Sequence, residues 1–395
     1  MFQNVEMAPA DPILGLNEQF KADRRPEKVN LIVGVYQDES GQIPKLKCVA
    51  EAEKRLMVDL KSNYLPIDGD AQYASLAAQL MLGPDDVRLN QGRVVEVQTP
   101  GGTGGLRVVA DVLARTKTVK TIWHSDPTWA NHVGIFNGAG IQTKKYAYLN
   151  AAGIGLDFDA MVEAIKLIPA GDAVLLHGCC HNPTGVDPSP EQWVEIVDVM
   201  KQRQLLPIVD CAYQGFGQGI TLDAYACRLI SQSIDEAIII QSFSKNFSLY
   251  NQRVGAVLVL TCDADSTDRV RSQVKSCIRV NYSNPPQFGA GLVRIVLGDT
   301  ELRSQWQTEV DQMRQRIATL RQQFSAQLAA KCSQDFSHIA TQCGMFSFSG
   351  LTKDQVNRLK DEFAIYFVGN GRMNVAGLTT TTMEKTTDAI AAVVS

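Results

Sequence analysis

Through the middle of the chain, short apolar runs rich in β-branched residues alternate with segments whose apolar positions recur every three or four residues. The runs at 93–99, 120–125, 173–179, 205–210, 237–242 and 254–260 predict strands. Between them, GGLRVVADVLART, EQWVEIVDVMKQR and LDAYACRLISQS carry helical periodicity, and the stretch from about Thr300 to Ala330 predicts one long amphipathic helix. Strands alternating with helices in this way predict βαβ units and an α/β fold with a mostly parallel sheet. A smaller mixed α/β segment follows the long helix. The first forty residues hold two short apolar patches separated by charge, and predict an arm plus one strand.

Composition narrows the classes. A chain of 395 residues exceeds one compact domain, so two lobes are expected. The formal charge of −4 provides no basic excess to neutralise phosphates, which argues against nucleic acid or an anionic membrane as partner. No run approaches the ~20 apolar residues of a membrane span, and MFQNVEMAPADPILGL has neither the basic nor the apolar region of a secretory signal. Nine cysteines without a regular framework are expected to be reduced thiols in the cytoplasm.

The chemically interesting residues cluster where predicted strands end, which is where open α/β sheets bind ligands. In IIIQSFSKNFSLYNQRVGA the apolar run gives way to Ser242, Ser244 and Lys245, with Arg253 eight residues on. Partial burial lowers a lysine pKa and makes the amine a nucleophile toward an aldehyde. Serine hydroxyls and an arginine around it suit a phosphorylated aldehyde. The turn PGGTGG, with Gly102 and Thr103, offers backbone N–H groups to an anion; it lacks the third glycine of a dinucleotide-binding fingerprint. Asp210 closes another apolar run with Tyr213 just beyond, and a carboxylate there needs a cationic partner such as a protonated pyridine nitrogen. His177, Cys179, Cys180 and His181 mimic a metal site, but no second Cys/His pair lies nearby in the sequence to complete a closed one, so no metal is expected. Asn182 precedes Pro183, which holds it extended and able to aim its amide at a ligand oxygen.

The motifs NYLPIDG, PGGTGG, DPTWANH, HNPTGVDP, DCAYQGF, SFSKNFSLYNQRVG, YSNPP and GRMNVAG occur in this order along the chain. Together they make it resemble the class I aminotransferases of the aspartate/aromatic subfamily, over essentially its full length. The resemblance implies fold type I of the pyridoxal-5′-phosphate-dependent transferases: a large domain with a mostly parallel seven-stranded sheet plus a smaller α/β domain. Residues 1–41 would form an arm and part of the small domain, 42–312 the large domain, and 313–395 the rest of the small one. The first dozen residues would embrace a second subunit.

The resemblance also implies roles. Lys245 would carry the cofactor as a Schiff base and then shuttle the substrate proton. Asp210 would pair with the pyridine nitrogen, with His132 and His177 behind it, and Tyr213 and Asn182 would bond the phenolic oxygen. Trp129 would stack on the ring. Gly102, Thr103, Ser242 and Arg253 would hold the phosphate, joined by Tyr64 from the other subunit of a homodimer. Arg372 would grip the substrate α-carboxylate, with Gly34, Trp129 and Asn182 also touching substrate. Arg279, from the partner chain, would meet a side-chain carboxylate. Gly101 stands where some members carry serine.

Two carboxylate-binding arginines imply dicarboxylic substrates, aspartate and glutamate with their 2-oxo acids. Val35, Asn63, Thr103 and Asn284 match the aspartate-type pattern, Ile43 matches the aromatic type, and Gln37 matches neither. Aspartate is therefore expected, with aromatic or dual specificity as the alternative. A lyase or decarboxylase would not need both arginines, and a nicotinamide dehydrogenase would need the missing glycine.

Overall fold

The computed structural model describes residues 1–8, 13–58 and 60–395, without the side chain of Leu14. Its strands are β1 (Val29–Asn30), β2 (Val94–Pro100), β3 (Thr121–Asp126), β4 (Gln142–Ala147), β5 (Ala173–His177), β6 (Leu206–Cys211), β7 (Ala237–Ser242), β8 (Val254–Leu260), β9 (Phe346–Phe348), β10 (Ile365–Tyr366) and β11 (Arg372–Asn374). The described chain divides into two compact units, residues 44–316 and residues 1–43 with 317–395.

The larger unit is built on a seven-stranded sheet of order β2-β8-β7-β6-β5-β3-β4, in which only β8 runs against its neighbours. Strands β5 and β7 are buried along their whole length, which explains their unbroken apolar sequences. Alternate residues face opposite cores. Leu176, Val209, Ile239 and Leu258 pack with the helices Phe158–Lys166, Pro190–Gln202 and Tyr225–Ser233. Leu175, Ile208, Ile240 and Val257 pack with Gly101–Thr116, Ala130–Gly138 and Ala264–Asn281.

Four of the six predicted strands end within two residues of their observed limits, and the other two, 237–242 and 254–260, coincide with β7 and β8. The seventh strand, β4, escaped the sequence pattern. It lies at the sheet edge, and four of its six residues, Lys144 and Lys145 among them, are exposed; lysines on an edge discourage further pairing.

In the smaller unit, β1 pairs in parallel with β10, and β11 pairs antiparallel with β9. Its core joins Val29 and Leu31 to Phe324, Leu328, Ile365, Met373 and Ile390. Here the expectation of an arm plus one strand needs correction, because Leu14–Ala22 is a helix. Leu16 and Phe20, four apart, lie against Ile32, Tyr366 and Val368, and Phe20 meets the Tyr366 ring edge-on at 5.3 Å. Of the expected arm, residues 9–12 lie outside the described residues.

Candidate active site

Parallel pairing brings the ends of β3, β5, β6 and β7 to one edge. His177 stands opposite Asp210, and Asp210 opposite Ile240, so the polar residues closing each apolar run become neighbours. Lys245 follows β7 by three residues, and its Nζ lies 4.5 Å from the centroid of the Tyr213 ring. Among the described residues Nζ has no hydrogen bond or ion pair. Burial pushes its pKa down to about 8, with the Asp210 charge opposing and the Arg253 charge assisting. At pH 7 about a tenth of such an amine is neutral, far more than for an ordinary lysine.

Asp210 is buried, which raises its pKa, but the His132 hydrogen bond and the Lys245 charge outweigh this and hold it below the ordinary carboxylate value. A carboxylate only accepts, so His132 Nε2 donates to Asp210 Oδ2 at 3.0 Å. Thr128 Oγ1 lies 2.9 Å from His132 Nδ1 and 3.1 Å from His177 Nε2, within hydrogen-bond distance of both rings. Burial carries the His177 pKa down to about 3, so its ring is neutral. Beyond it, His181 stacks on Tyr148 with centroids 4.1 Å apart and bonds Ser125 and Thr184. His132 thus backs Asp210 directly, whereas His177 reaches it through Thr128. Thr128 was not singled out in the sequence, although it precedes His132 by one helical turn. Trp129 sits edge-on to His132 at 5.1 Å, and Asn182 Nδ2 donates to Tyr213 Oη at 3.5 Å.

Beside this group lies an anion cradle. The helix Gly101–Thr116 begins directly at the end of β2, so the N–H groups of Gly101, Gly102 and Thr103 are unspent by the helix ladder. Gly101 has φ +73, and a Cβ there would come within 2.6 Å of Arg253 Nη2. A Cβ on Gly102 would lie 3.4 Å from Ser242 Cβ. The buried Ser242 hydroxyl donates to Ser244 Oγ at 3.2 Å. Backbone N–H groups, two hydroxyls and a guanidinium converge where the absence of a Cβ at Gly101 and Gly102 lets them approach.

The remaining candidates fall elsewhere. Tyr64 and Arg279 line a half-open cavity of about 700 Å³ together with Asn284 and Pro285, and its walls include neither Lys245 nor Asp210. Tyr64 is 89% exposed, and Arg279 Nη1 donates to Ser283 Oγ at 2.6 Å. Gly34 and Arg372 belong to the smaller unit, where Arg372 Nη2 donates to the Ile32 carbonyl at 2.6 Å. The thiols of Cys179 and Cys180 do gather with the Asp223 carboxylate, without either histidine. Asp223 already accepts the N–H groups of Gly215, Gly217 and Gln218 at 2.7–2.9 Å, which explains it as a loop clasp.

The family model for class I and II aminotransferases matches residues 26–390. Aspartate aminotransferase of Salmonella typhi is 48% identical over 395 residues, covering all of both chains. Aromatic-amino-acid aminotransferase of Escherichia coli K12 is 46% identical over 396 residues, again covering both fully. The crystal structure of an aromatic-amino-acid aminotransferase from Burkholderia pseudomallei, covalently bound to pyridoxal phosphate, superposes with a TM-score of 0.97 at 48% identity over the whole of both chains.

Proposed function

This chain belongs to the class I and II aminotransferases, and on that footing we propose that it transfers the amino group of L-aspartate to 2-oxoglutarate, giving oxaloacetate and L-glutamate in a ping-pong cycle. The observation that carries this reading is the placement of Lys245, an unpaired amine with a pKa of about 8, beside the buried Asp210. Its cofactor is pyridoxal phosphate.

The residues present fit that group. Gly102, Thr103, Ser242 and Arg253 would hold a phosphate in the cradle that the absence of a Cβ at Gly101 and Gly102 permits, and Asp210 would face a protonated ring nitrogen. Trp129, Asn182 and Tyr213 would contact the ring and its oxygen. When bound, the cofactor supplies an electron sink for the pair left at the amino-acid α-carbon after proton loss. The protein's own part is positional and electrostatic. Lys245 would hold the cofactor's aldehyde through its amine and, when freed by substrate, its Nζ would serve as the base and acid that carries the substrate's α-proton. Asp210, kept ionised with the help of the His132 hydrogen bond, would favour a protonated ring nitrogen. Arg372 takes the α-carboxylate, beside Gly34.

We further propose a cytoplasmic homodimer with shared sites. Tyr64 and Arg279 line a cavity apart from Lys245, as they would if each served a second copy. Val58, Tyr64 and Val280 are exposed to 82% or more, an apolar surface suited to cover. All nine cysteines are free thiols, as a reducing compartment would leave them, and no helix among the described residues is long and apolar enough to cross a membrane.

Aromatic specificity is the second reading. It is favoured by the Burkholderia structure and by Arg279, whose one side-chain hydrogen bond among the described residues, to Ser283, leaves it able to swing aside. Single-turnover conversion of the holoenzyme by L-aspartate and by L-phenylalanine separates the two. Fast conversion by aspartate alone is expected; comparable conversion by both would establish dual specificity. Arg279→Ala should impair aspartate at least ~100-fold more than phenylalanine, the scale of a lost charge-assisted pair. Equal losses would remove Arg279 from the distal-carboxylate role.

A further inference from the structure

The smaller unit contains a device that none of the motifs above describes. Residues 31–35 are stitched to β11 carbonyl by carbonyl. Asn374 N–H donates to Leu31 O at 2.8 Å and Arg372 Nη2 to Ile32 O at 2.6 Å. The Asn374 side chain then forks, with Nδ2 donating to both Val33 O and Val35 O at 2.7 Å. Those carbonyls flank Gly34, and Val35 N–H closes a three-residue turn onto Val33 O at 2.9 Å. The turn leaves Gly34 N–H unspent among the described residues. Asn374 is 1% exposed and its Oδ1 is buried with no partner. An amide held in that unfavourable state implies that the fork itself is worth keeping.

Phe346 completes the arrangement. It stands opposite Asn374 across the β9–β11 pair, and its ring centroid lies 4.2 Å from Arg372 Cζ. A Cβ on Gly34 would come within 2.5 Å of Phe346 Cζ, so ring and glycine fit edge to backbone. Arg321, itself buried, fixes the start of β9 by donating to the carbonyls of Gly344 and Phe346 at 2.8 and 2.5 Å. The ring therefore has no slack on the backbone side.

We infer that Asn374 and Phe346 are positioning residues for the α-carboxylate: Asn374 holds the turn that presents Gly34 N–H, and Phe346 holds the Arg372 guanidinium and sets its distance from that turn. The inference rests on reading Arg372 as the carboxylate grip. The α-carboxylate is common to every substrate and unchanged in the reaction, so its contacts act equally on ground and transition states. Loss of either positioning residue should weaken binding of all substrates alike and spare the maximal rate.

The test is single-turnover conversion of the holoenzyme by L-aspartate and L-phenylalanine, reading the dissociation constant and the maximal rate separately. Asn374→Ala should raise the dissociation constant ~10- to 30-fold for both substrates, with the maximal rate kept within about threefold. Gly34→Ala should do the same by pushing on the Phe346 ring; Phe346→Leu alone should also weaken binding, and the double variant should lose clearly less than the two single losses combined, because the smaller side chain makes room. This pair of variants decides the matter should Asn374→Ala not fold. Unchanged binding in Asn374→Ala, a loss confined to the maximal rate, or additive losses in the Gly34/Phe346 double variant would each overturn the inference. Arg372→Lys tells the two levels apart: if it binds substrate normally, the carboxylate reading itself falls. If only Arg372→Lys weakens binding, the grip stands and the inference alone is wrong.

Discussion

Asp210 lies near the end of β6 and Lys245 just beyond the neighbouring β7, and each influences the other's charge. Burial favours the neutral amine, the Asp210 carboxylate favours the ammonium, and Arg253 disfavours it. In the cofactor-free protein, labelling of Lys245 by an amine reagent should therefore rise through a midpoint near pH 8. Asp210→Asn should move that midpoint down and Arg253→Gln should move it up; opposite displacements, read by mass spectrometry of the labelled peptide, would refute the assigned causes. Thr128 offers a second test. Its hydroxyl serves His132 and His177 at once, so Thr128→Val leaves two buried ring nitrogens without partners. The variant should lose ~2–4 kcal/mol of unfolding free energy in denaturant melts, and its Asp210 should be less firmly ionised.

The helix Gly101–Thr116 places the anion cradle only because it lies close against the sheet. A Cβ on Gly105 would approach Val257 Cγ2 at 2.9 Å and Ile240 Cγ2 and Thr99 Oγ1 at 3.2 Å. Gly105→Ala should lift the first turns off β7 and β8 and weaken retention of pyridoxal phosphate ~10-fold, followed by cofactor absorbance after dialysis. Unaltered retention would mean that the cradle does not depend on this contact. At this scale the sequence was most legible where burial was two-sided, since β5 to β8 are written in apolar letters that need no context. It was least legible where tertiary pairing decides. The edge strand β4 looks polar, the helix Leu14–Ala22 shows its apolar pair only once Tyr366 is folded against it, and β9 and β11 are three residues each. The site followed the same rule. Lys245, Asp210 and Ser242 mark strand ends, whereas Thr128, Phe346 and Asn374 acquire meaning through partners far away in the chain.

For the whole molecule, a shared site makes a prediction that no single variant can. On the proposed roles, Lys245→Ala would lack the anchoring amine and Arg279→Ala the distal grip for aspartate, so each should be nearly inactive with that substrate. Unfolded together and refolded as a mixture, half of the dimers would pair one of each, and one of their two sites would be whole. Aspartate activity should return to about a quarter of the parent value, the statistical share for a twofold assembly. No recovery would rule out sites built from two chains. The division into units has a temporal consequence as well. The residues proposed to hold the cofactor, from Gly102 to Arg253, all lie within the stretch 44–316, while Arg372 comes later in the chain. Folding as a unit, that stretch is complete at residue 316, so at ~5–20 residues per second a nascent chain would have roughly three to ten seconds in which the residues proposed for the cofactor are in place and Arg372 is not. Vitamin capture can precede, and be timed apart from, the birth of catalytic competence.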